Sequence, residues 1–291
     1  MPVPYEISIP ALPARPEESH KGTFGSVLVV AGSRGMSGAA CLAGLGALRG
    51  GAGLVFVAVP AGIQAIVAAT EPSYLTIALP EDSDGRISRM AAAEVLARAK
   101  HATAVAIGPG WGKSPDLAEL AHTLYTQIER PLVVDADALN ALASSPAGVP
   151  KPPPGAPRIL TPNPGEFARL LTTETKSVQK DRETVAAEFA KQHGAVVILK
   201  GQGTVITDGE KVAINTTGNS GMATGGTGDV LTGLVAALLA QNMAPFAAAH
   251  LAAHLHGLAG DLAAAELGKP GLIASDLPRF IGRAWKQTGA T

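Results

Sequence analysis

Glycine, threonine and a lone carboxylate are crowded into residues Gly218 to Gly233, which read GNSGMATGGTGDVLTG. Glycines accept positive φ and let a backbone come close to a ligand, so several peptide N–H groups can turn toward one anion. Asp229 stands where a helix beginning near Thr227 would open, and the positive end of that helix favours a phosphoryl group beside the acid. The chemistry on offer is a base, Asp229, next to an anion hole made by Gly225, Gly226, Thr227 and Gly228. Val230, Leu231, Leu234, Val235 and Leu238 follow at helical spacing, so the context is strand, glycine turn, helix rather than an isolated turn.

In an open parallel sheet, ligands bind beyond the carboxyl ends of the strands. Residues just after the other strand candidates supply more chemistry there. The first strand is followed by Gly32-Ser33-Arg34-Gly35 and then Ser37-Gly38-Ala39-Ala40, a second small-residue helix start suited to an anion. Later come Gly108-Pro109-Gly110-Trp111-Gly112, then Asp135 and Asp137, then Thr161-Pro162-Asn163-Pro164-Gly165-Glu166, and finally Lys200-Gly201-Gln202-Gly203-Thr204. Taken singly, each has a structural reading: glycines make turns, Asp135 or Asp137 caps the following helix, Glu166 is the first-turn acid of a short helix, and Lys200 is a snorkelling surface lysine. Trp111 either stacks on an aromatic ring or anchors its loop. Together, Lys200, Asn163, Glu166 and Asp229 supply a phosphate cation, a hydrated Mg²⁺ site and a base, the parts of a phosphoryl-transfer site.

Other motifs exclude alternatives. No G-x-x-x-x-G-K-[ST] occurs, and GSRGMSG lacks the G-x-G-x-x-G spacing of a dinucleotide fold, so neither a P-loop protein nor a common dehydrogenase is expected. His250 and His254 share a helix face, with His256 nearby. No Glu follows His250, and the Ala/Leu surroundings favour core or interface packing over zinc.

The elements that must carry these loops follow from hydrophobic periodicity. Strands are predicted at Ser26–Ala31, Leu54–Val59, Tyr74–Leu79, Ala104–Gly108, Leu132–Asp135, Arg158–Leu160, Val196–Lys200 and Thr204–Thr207. Helices are predicted at Gly38–Arg49, Ala61–Ala69, Met90–Ala99, Asp116–Gln127, Ala136–Ala143, Arg182–Gln192 and Gly228–Gln241, with Phe246–Leu267 closing the chain. The alternation points to βαβ units and a mostly parallel sheet. Asp208-Gly209 between Thr204–Thr207 and Lys211–Ile214 predicts a hairpin at one sheet edge. Pro-rich Ser144–Pro157 reads as a surface loop inside one domain, because strands resume immediately after it.

With 291 residues, 46% hydrophobic and 16% charged, the chain can bury a large core. A net charge of −1 offers no electrostatic footprint for nucleic acid or an anionic membrane. Cys41 is the single cysteine, which excludes an internal disulfide and fits a reducing compartment. The N-terminal residues lack a basic stretch followed by an apolar one, and apolar runs such as Leu234–Ala240 fall well short of the ~20 residues of a membrane span. The expectation is a cytoplasmic protein.

Six motifs in order resemble the ADP- or ATP-dependent NAD(P)H-hydrate dehydratases of the ribokinase-like superfamily. They are KGTFGSVLVVAGSRGMSGAA at Lys21–Ala40, GPGWG at Gly108–Gly112, VVDADALN at Val133–Asn140, LTPNPGE at Leu160–Glu166, LKGQGTVITDG at Leu199–Gly209, and the Gly218–Gly233 stretch. The resemblance implies a three-layer α/β/α sandwich forming a single domain over residues 21–291, after an N-terminal extension of residues 1–20. It implies ADP-dependent removal of water from the S epimer of hydrated NADH or NADPH, with Mg²⁺, ADP or ATP as co-substrate, and release of AMP and phosphate when ADP is used. Asp229 would be the base. Ala39, Ala40, Gly110, Asn163 and Asp229 would contact the hydrated dinucleotide, Lys200, Gly201, Gln202, Gly203, Thr204 and Gly228 the nucleotide, and Glu166 a hydrated Mg²⁺. A homotetramer and a functional link to a separate NAD(P)H-hydrate epimerase are implied as well.

Relatives commonly carry His where this chain has Asn163, which keeps a hydrogen bond but holds no positive charge. Asn163 with Glu166 also forms the N-x-x-E that sugar and vitamin kinases of the superfamily use around hydrated Mg²⁺. A small-molecule kinase and a non-catalytic dinucleotide-binding protein are therefore the competing readings.

Overall fold

Val27 and Val29 contribute to one buried cluster and Leu28 and Val30 to another, so the first strand, β1 (Ser26–Val30), is covered on both faces. The computed structural model describes residues 4–145 and 148–289; residues 146 and 147 of the Pro-rich loop lie outside it. Eight further strands join the sheet: β2 (Leu54–Pro60), β3 (Leu75–Leu79), β4 (Ala104–Ile107), β5 (Leu132–Val134), β6 (Arg158–Leu160), β7 (Val196–Leu199), β8 (Val205–Thr207) and β9 (Val212–Ile214). Their spatial order is β3-β2-β1-β4-β5-β6-β7-β8-β9. The first seven run parallel, and the β8–β9 hairpin adds two antiparallel strands at the edge. Gly209 turns that hairpin with φ +88°, as the Asp-Gly pair predicts. Because β5 and β6 are hydrogen-bonded neighbours, the Pro-rich loop between them lies within one domain rather than between two.

The helices are α1 (Ser37–Arg49), α2 (Gln64–Thr70), α3 (Ala92–Ala99), α4 (Pro115–Gln127), α5 (Ala136–Ala143), α6 (Pro164–Leu170), α7 (Thr175–Lys180), α8 (Arg182–His193), α9 (Thr227–Ala240), α10 (Pro245–Leu267) and α11 (Leu277–Thr288). One core cluster packs α1, α9, α10 and α11 on one face of the sheet, and the other packs α3, α4, α5 and α8 on the opposite face. The result is a three-layer α/β/α fold. The expected ending at Leu267 is corrected: α11 follows, amphipathic through Leu277, Phe280, Ile281 and Ala284, which face the core. The expected helices over residues 61–69 and 90–99 each begin instead with a short 3₁₀ turn, Ala61–Ile63 and Arg89–Ala91. The described part of the N-terminal extension, residues 4–20, does not stand wholly apart from the domain. Glu6 N–H donates to Val212 O, and Tyr5 bridges Val212, so part of the N-terminal extension continues the sheet beyond β9.

Glycines let two helices of the first layer approach more closely than any side chain allows. A Cβ on Gly233 of α9 would lie 1.9 Å from Ala43 O of α1, and one on Gly46 of α1 would lie 2.2 Å from Val230 O of α9. That contact brings the N-termini of α1 and α9, both of which follow glycine-bearing turns, to the same edge of the sheet. Strand order reverses between β1 and β4, the crevice where ligands of such sheets bind.

Candidate active site

The loops after β1 and β4 are tied together at this reversal. Gly32 N–H donates to Pro109 O at 2.7 Å and Ser33 Oγ donates to Gly110 O at 2.8 Å. Gly110 has φ +64°, and a Cβ there would come within 2.7 Å of Ala39 Cβ, so this glycine is required by the close approach of α1. Ala39 is half-buried at this contact, whereas the Ala40 side chain is fully buried in the core and is not available to a ligand. Trp111 does not present its ring for stacking: it is fully buried, and its indole N–H donates to Val30 O at 2.9 Å. It anchors the loop.

On the next strands the acids part company. Asp135 was a candidate helix cap, but it makes no side-chain cap to α5. Buried to 1% exposure, it instead accepts from Lys200 Nζ at 2.8 Å through Oδ1 and from Thr232 Oγ1 at 2.7 Å through Oδ2. The following residue, Ala136, is held at φ +49°, a strained backbone for a side-chain-bearing residue. Asp137 accepts from Gly112 N–H at 2.9 Å and so fixes the Gly108–Gly112 loop. Asn163 and Glu166 form a reciprocal capping box on α6, with Asn163 N–H donating to Glu166 Oε2 at 2.8 Å and Glu166 N–H donating to Asn163 Oδ1 at 2.9 Å. Glu166 Oε2 also lies 3.9 Å from Lys200 Nζ. Burial raises the Glu166 carboxyl above its ordinary value, with Lys200 opposing that rise.

Lys200 therefore sits among acids. Burial works against its charge, but Asp135 and Glu166 outweigh that and hold the ammonium above its ordinary range. The loop that it opens is braced from below by Arg182, which donates to Leu199 O at 2.7 Å, to Lys200 O at 3.1 Å and to Gln202 O at 2.5 Å. Gly201 and Gln202 stay exposed, and Thr204 Oγ1 closes the loop onto Gly201 O at 2.9 Å.

Opposite this loop, α9 begins after Gly226, which takes φ +95°. A Cβ on Gly226 would strike Leu42 at 2.5 Å, and one on Gly228 would come within 3.1 Å of Lys200 Nζ. Asp229 N–H is satisfied by Gly226 O at 3.1 Å, and the amides of Thr227 and Gly228 precede it in the first turn, where a helix has no internal acceptors to offer. The turn itself is pinned from α10. His256 Nε2–H donates to Thr227 O at 2.8 Å, and burial drives that imidazole down to about 4, so it is neutral with its proton on Nε2. Asp261 accepts from Gly218 N–H at 2.8 Å and from Asn219 Nδ2 at 2.9 Å.

Asp229 is half-buried, and its carboxyl is pushed up to about 7, first by burial and then by the charge of Asp135, with Lys200 pulling it back. Such a carboxyl is poised to exchange a proton near neutrality, beside a cation and the free amides of a helix start. The model of the NAD(P)H-hydrate dehydratase family matches residues 27–283, nearly the whole of this fold. The chain belongs to that family. As a dehydratase-family chain it is 47% identical over 272 residues to the bifunctional NAD(P)H-hydrate repair enzyme Nnr of Moorella thermoacetica, a match covering 93% of this chain and 51% of that protein. It is 36% identical over 278 residues to the ADP-dependent (S)-NAD(P)H-hydrate dehydratase of Bacillus subtilis, covering 95% of this chain and 94% of that one. A crystal structure of the Bacillus subtilis ADP/ATP-dependent enzyme, grown with ATP and Mg²⁺, superposes with a TM-score of 0.81 at 34% identity, covering 95% of this chain and 94% of that chain. The chain thus spans about half the length of bifunctional relatives such as the Moorella protein and nearly all of the Bacillus dehydratase.

Thr232, Arg182 and Asp261 were not singled out from sequence as site residues, and His256 was weighed there only as a zinc ligand and set aside for packing. Thr232 carried a signal: it is the one polar side chain among Val230 to Ala240, three residues after Asp229 and facing the same acid network. No helix among the described residues is long and apolar enough to cross a membrane.

Proposed function

We propose that this chain dehydrates the S epimer of hydrated NADH or NADPH at the expense of ADP, returning a usable reduced nicotinamide with AMP and phosphate. The observation that carries the reading is the Asp229 carboxyl, raised to about 7 at the opening of α9 and facing Lys200. Hydroxide is a poor leaving group and phosphate a good one, so a phosphoryl-transfer site can serve a dehydration.

In this reading Asp229 takes the proton from the ring hydroxyl as the hydroxyl oxygen bonds to the terminal phosphorus of ADP. The bond from that phosphorus to the bridging oxygen breaks and AMP departs. Developing negative charge is met by Lys200 and by the amides of Thr227 and Gly228. The ring carbon–oxygen bond then breaks with loss of phosphate, and loss of a proton from the neighbouring carbon restores the double bond. Ala39, Gly110 and Asn163 line the dinucleotide side, while Lys200 to Thr204 and Gly228 line the nucleotide side. Asn163 offers only part of its amide, because its oxygen caps α6.

The described residues form no cluster of three or more His, Cys, Asp or Glu side chains suited to a metal. Mg²⁺ generally needs only one or two carboxylates once phosphates and waters complete its shell. Glu166, which would reach the ion through water, fits that requirement. The ion would neutralise charge on the donor phosphates.

The test is absorbance in the reduced-nicotinamide band with purified protein, hydrated NADH, Mg²⁺ and either ADP or ATP. A nucleotide-dependent rise supports the reading, and the faster donor identifies the co-substrate. Tight nucleotide binding with no rise, together with a stable phosphate ester from a vitamin precursor or sugar, would favour the small-molecule kinase instead.

A further inference from the structure

Arg182 opens α8 and lies half-buried beneath the loop after β7. The acceptors of its guanidinium are all carbonyl oxygens: Leu199 O and Lys200 O share Nη2, and Gln202 O takes Nη1. Its Nε is buried with no partner, and the neighbouring Glu183 accepts instead from the Tyr5 hydroxyl. Burial lowers the guanidinium below its ordinary value, but an arginine keeps its charge at neutral pH. A cation held by carbonyl dipoles rather than by a carboxylate therefore lies under this loop.

That placement decides which way the loop peptides face. In a regular strand consecutive carbonyls point to opposite sides, so the turning of Leu199 O and Lys200 O to one Nη2 ends β7 and bends the chain. None of the described peptides is cis, and in a trans peptide the N–H points opposite to the C=O of the same plane. With Leu199 O on Arg182, Lys200 N–H points the other way and donates to Pro162 O at 2.8 Å, next to Asn163. By the same geometry the carbonyls of Lys200 and Gln202 turn the N–H groups of Gly201 and Gly203 away from the guanidinium. Among the described residues neither of these amides has a backbone acceptor. Gly201 permits the arrangement: it takes φ +137°, and a Cβ there would lie 3.1 Å from Arg182 Nη2.

We infer that Arg182 is a positioning residue for the nucleotide: it gathers the carbonyls of Leu199, Lys200 and Gln202 on one side of the loop, so that the N–H groups of Gly201 and Gly203 are presented to the nucleotide phosphates on the other. Outward amides of this kind make an anion-binding concavity. Arginine suits the task because one planar guanidinium reaches three oxygens in a fixed fork, which an ammonium on a flexible stem does not. This role rests on the reading that the Lys200–Thr204 loop holds ADP.

Two variants test it, Arg182→Met, which keeps only an apolar stem, and Arg182→Lys, which keeps the charge but not the fork; melting curves establish that each is folded. Affinities for ADP with Mg²⁺ and for intact NADPH are measured by calorimetric titration, and KM for ADP and kcat are measured with hydrated NADH. The expected result is an ADP Kd and KM raised about tenfold or more in Arg182→Met and by less in Arg182→Lys, with NADPH affinity and kcat at saturating ADP little changed. Unchanged ADP affinity in both variants overturns the assignment. A parallel loss of ADP and NADPH affinity overturns it too, because that marks a residue that only supports the fold. A wild type that binds no ADP removes the nucleotide from this loop and the role of Arg182 with it. A wild type that binds ADP yet restores no absorbance to hydrated NADH fails the dehydratase reading alone, and the ADP titrations still decide for or against Arg182.

Discussion

Asp229 ties activity and stability to the same proton. In the folded protein its carboxyl keeps that proton up to about pH 7, whereas in the unfolded chain it releases it near its ordinary value of 3.8. Between those values the folded state binds more protons, so stability falls as pH rises through the window. Asp229→Asn cannot ionise and escapes that loss. Its melting temperature should exceed that of the wild type at pH 8, and the gap should close toward pH 4; equal melting curves at pH 8 would show that the carboxyl is not raised. The same substitution should lower turnover by about 10²–10⁴-fold. In the wild type, kcat/KM should rise with pH to a plateau with a midpoint near 7, as the base loses its proton. Lys200 carries a different burden. Its ammonium neutralises Asp135, which has 1% exposure, while 21% of the Lys200 side chain still meets solvent. Lys200→Met should therefore cost about 2–3 kcal/mol, somewhat less than breaking a fully buried pair. Adding Asp135→Asn should recover part of that cost, and denaturant unfolding of the single and double variants measures the coupling.

At the scale of elements, the close pairing of α1 and α9 sets the distance between the two glycine turns. Gly233→Ala would place a methyl group 1.9 Å from a backbone oxygen of α1, and no rotamer relieves that contact. The helices must separate, at a cost of about 2–3 kcal/mol and a melting temperature lower by about 4–12 °C. Gly282→Ala on α11, where a Cβ meets nothing within 4 Å, is the matched control and should raise the melting temperature slightly, as Ala does in place of an exposed helical glycine. Which elements were legible in sequence follows from the same physics. Strands β1 to β9 carry Val and Ile runs bounded by turn residues, and their cores were readable to within a residue or two. Helix α11 was not, because its period is carried by only Leu277, Phe280, Ile281 and Ala284 amid charged residues. The glycine turn and Asp229 were legible because they are contiguous. The Lys200–Asp135–Thr232 network was not, since its members lie 65 and 97 residues apart and only the sheet order brings them together. Asp135 looked like a cap for the same reason: one strand end shows an acid before a helix, and its partner lies on another strand.

The whole molecule is arranged about one carboxyl. The reversal of strand order between β1 and β4 opens one side of the cleft, and the antiparallel β8–β9 hairpin with the loop after β7 forms the other. If ADP is held by the Lys200–Thr204 loop and only approached by Asp229, binding should stabilise the entire fold, because unfolding releases the nucleotide. At a hundredfold excess over Kd that linkage is worth about 2.7 kcal/mol, which in a chain of this size is a rise of roughly 5–10 °C in melting temperature. Asp229→Asn should keep this rise or enlarge it, since it removes a negative charge from beside the phosphates. Lys200→Met should lose most of it. A thermal-shift titration of the three proteins with ADP and Mg²⁺ separates the two roles: an Asp229→Asn variant that no longer responds to ADP would make Asp229 part of the nucleotide's binding site rather than the base that acts on what the nucleotide meets.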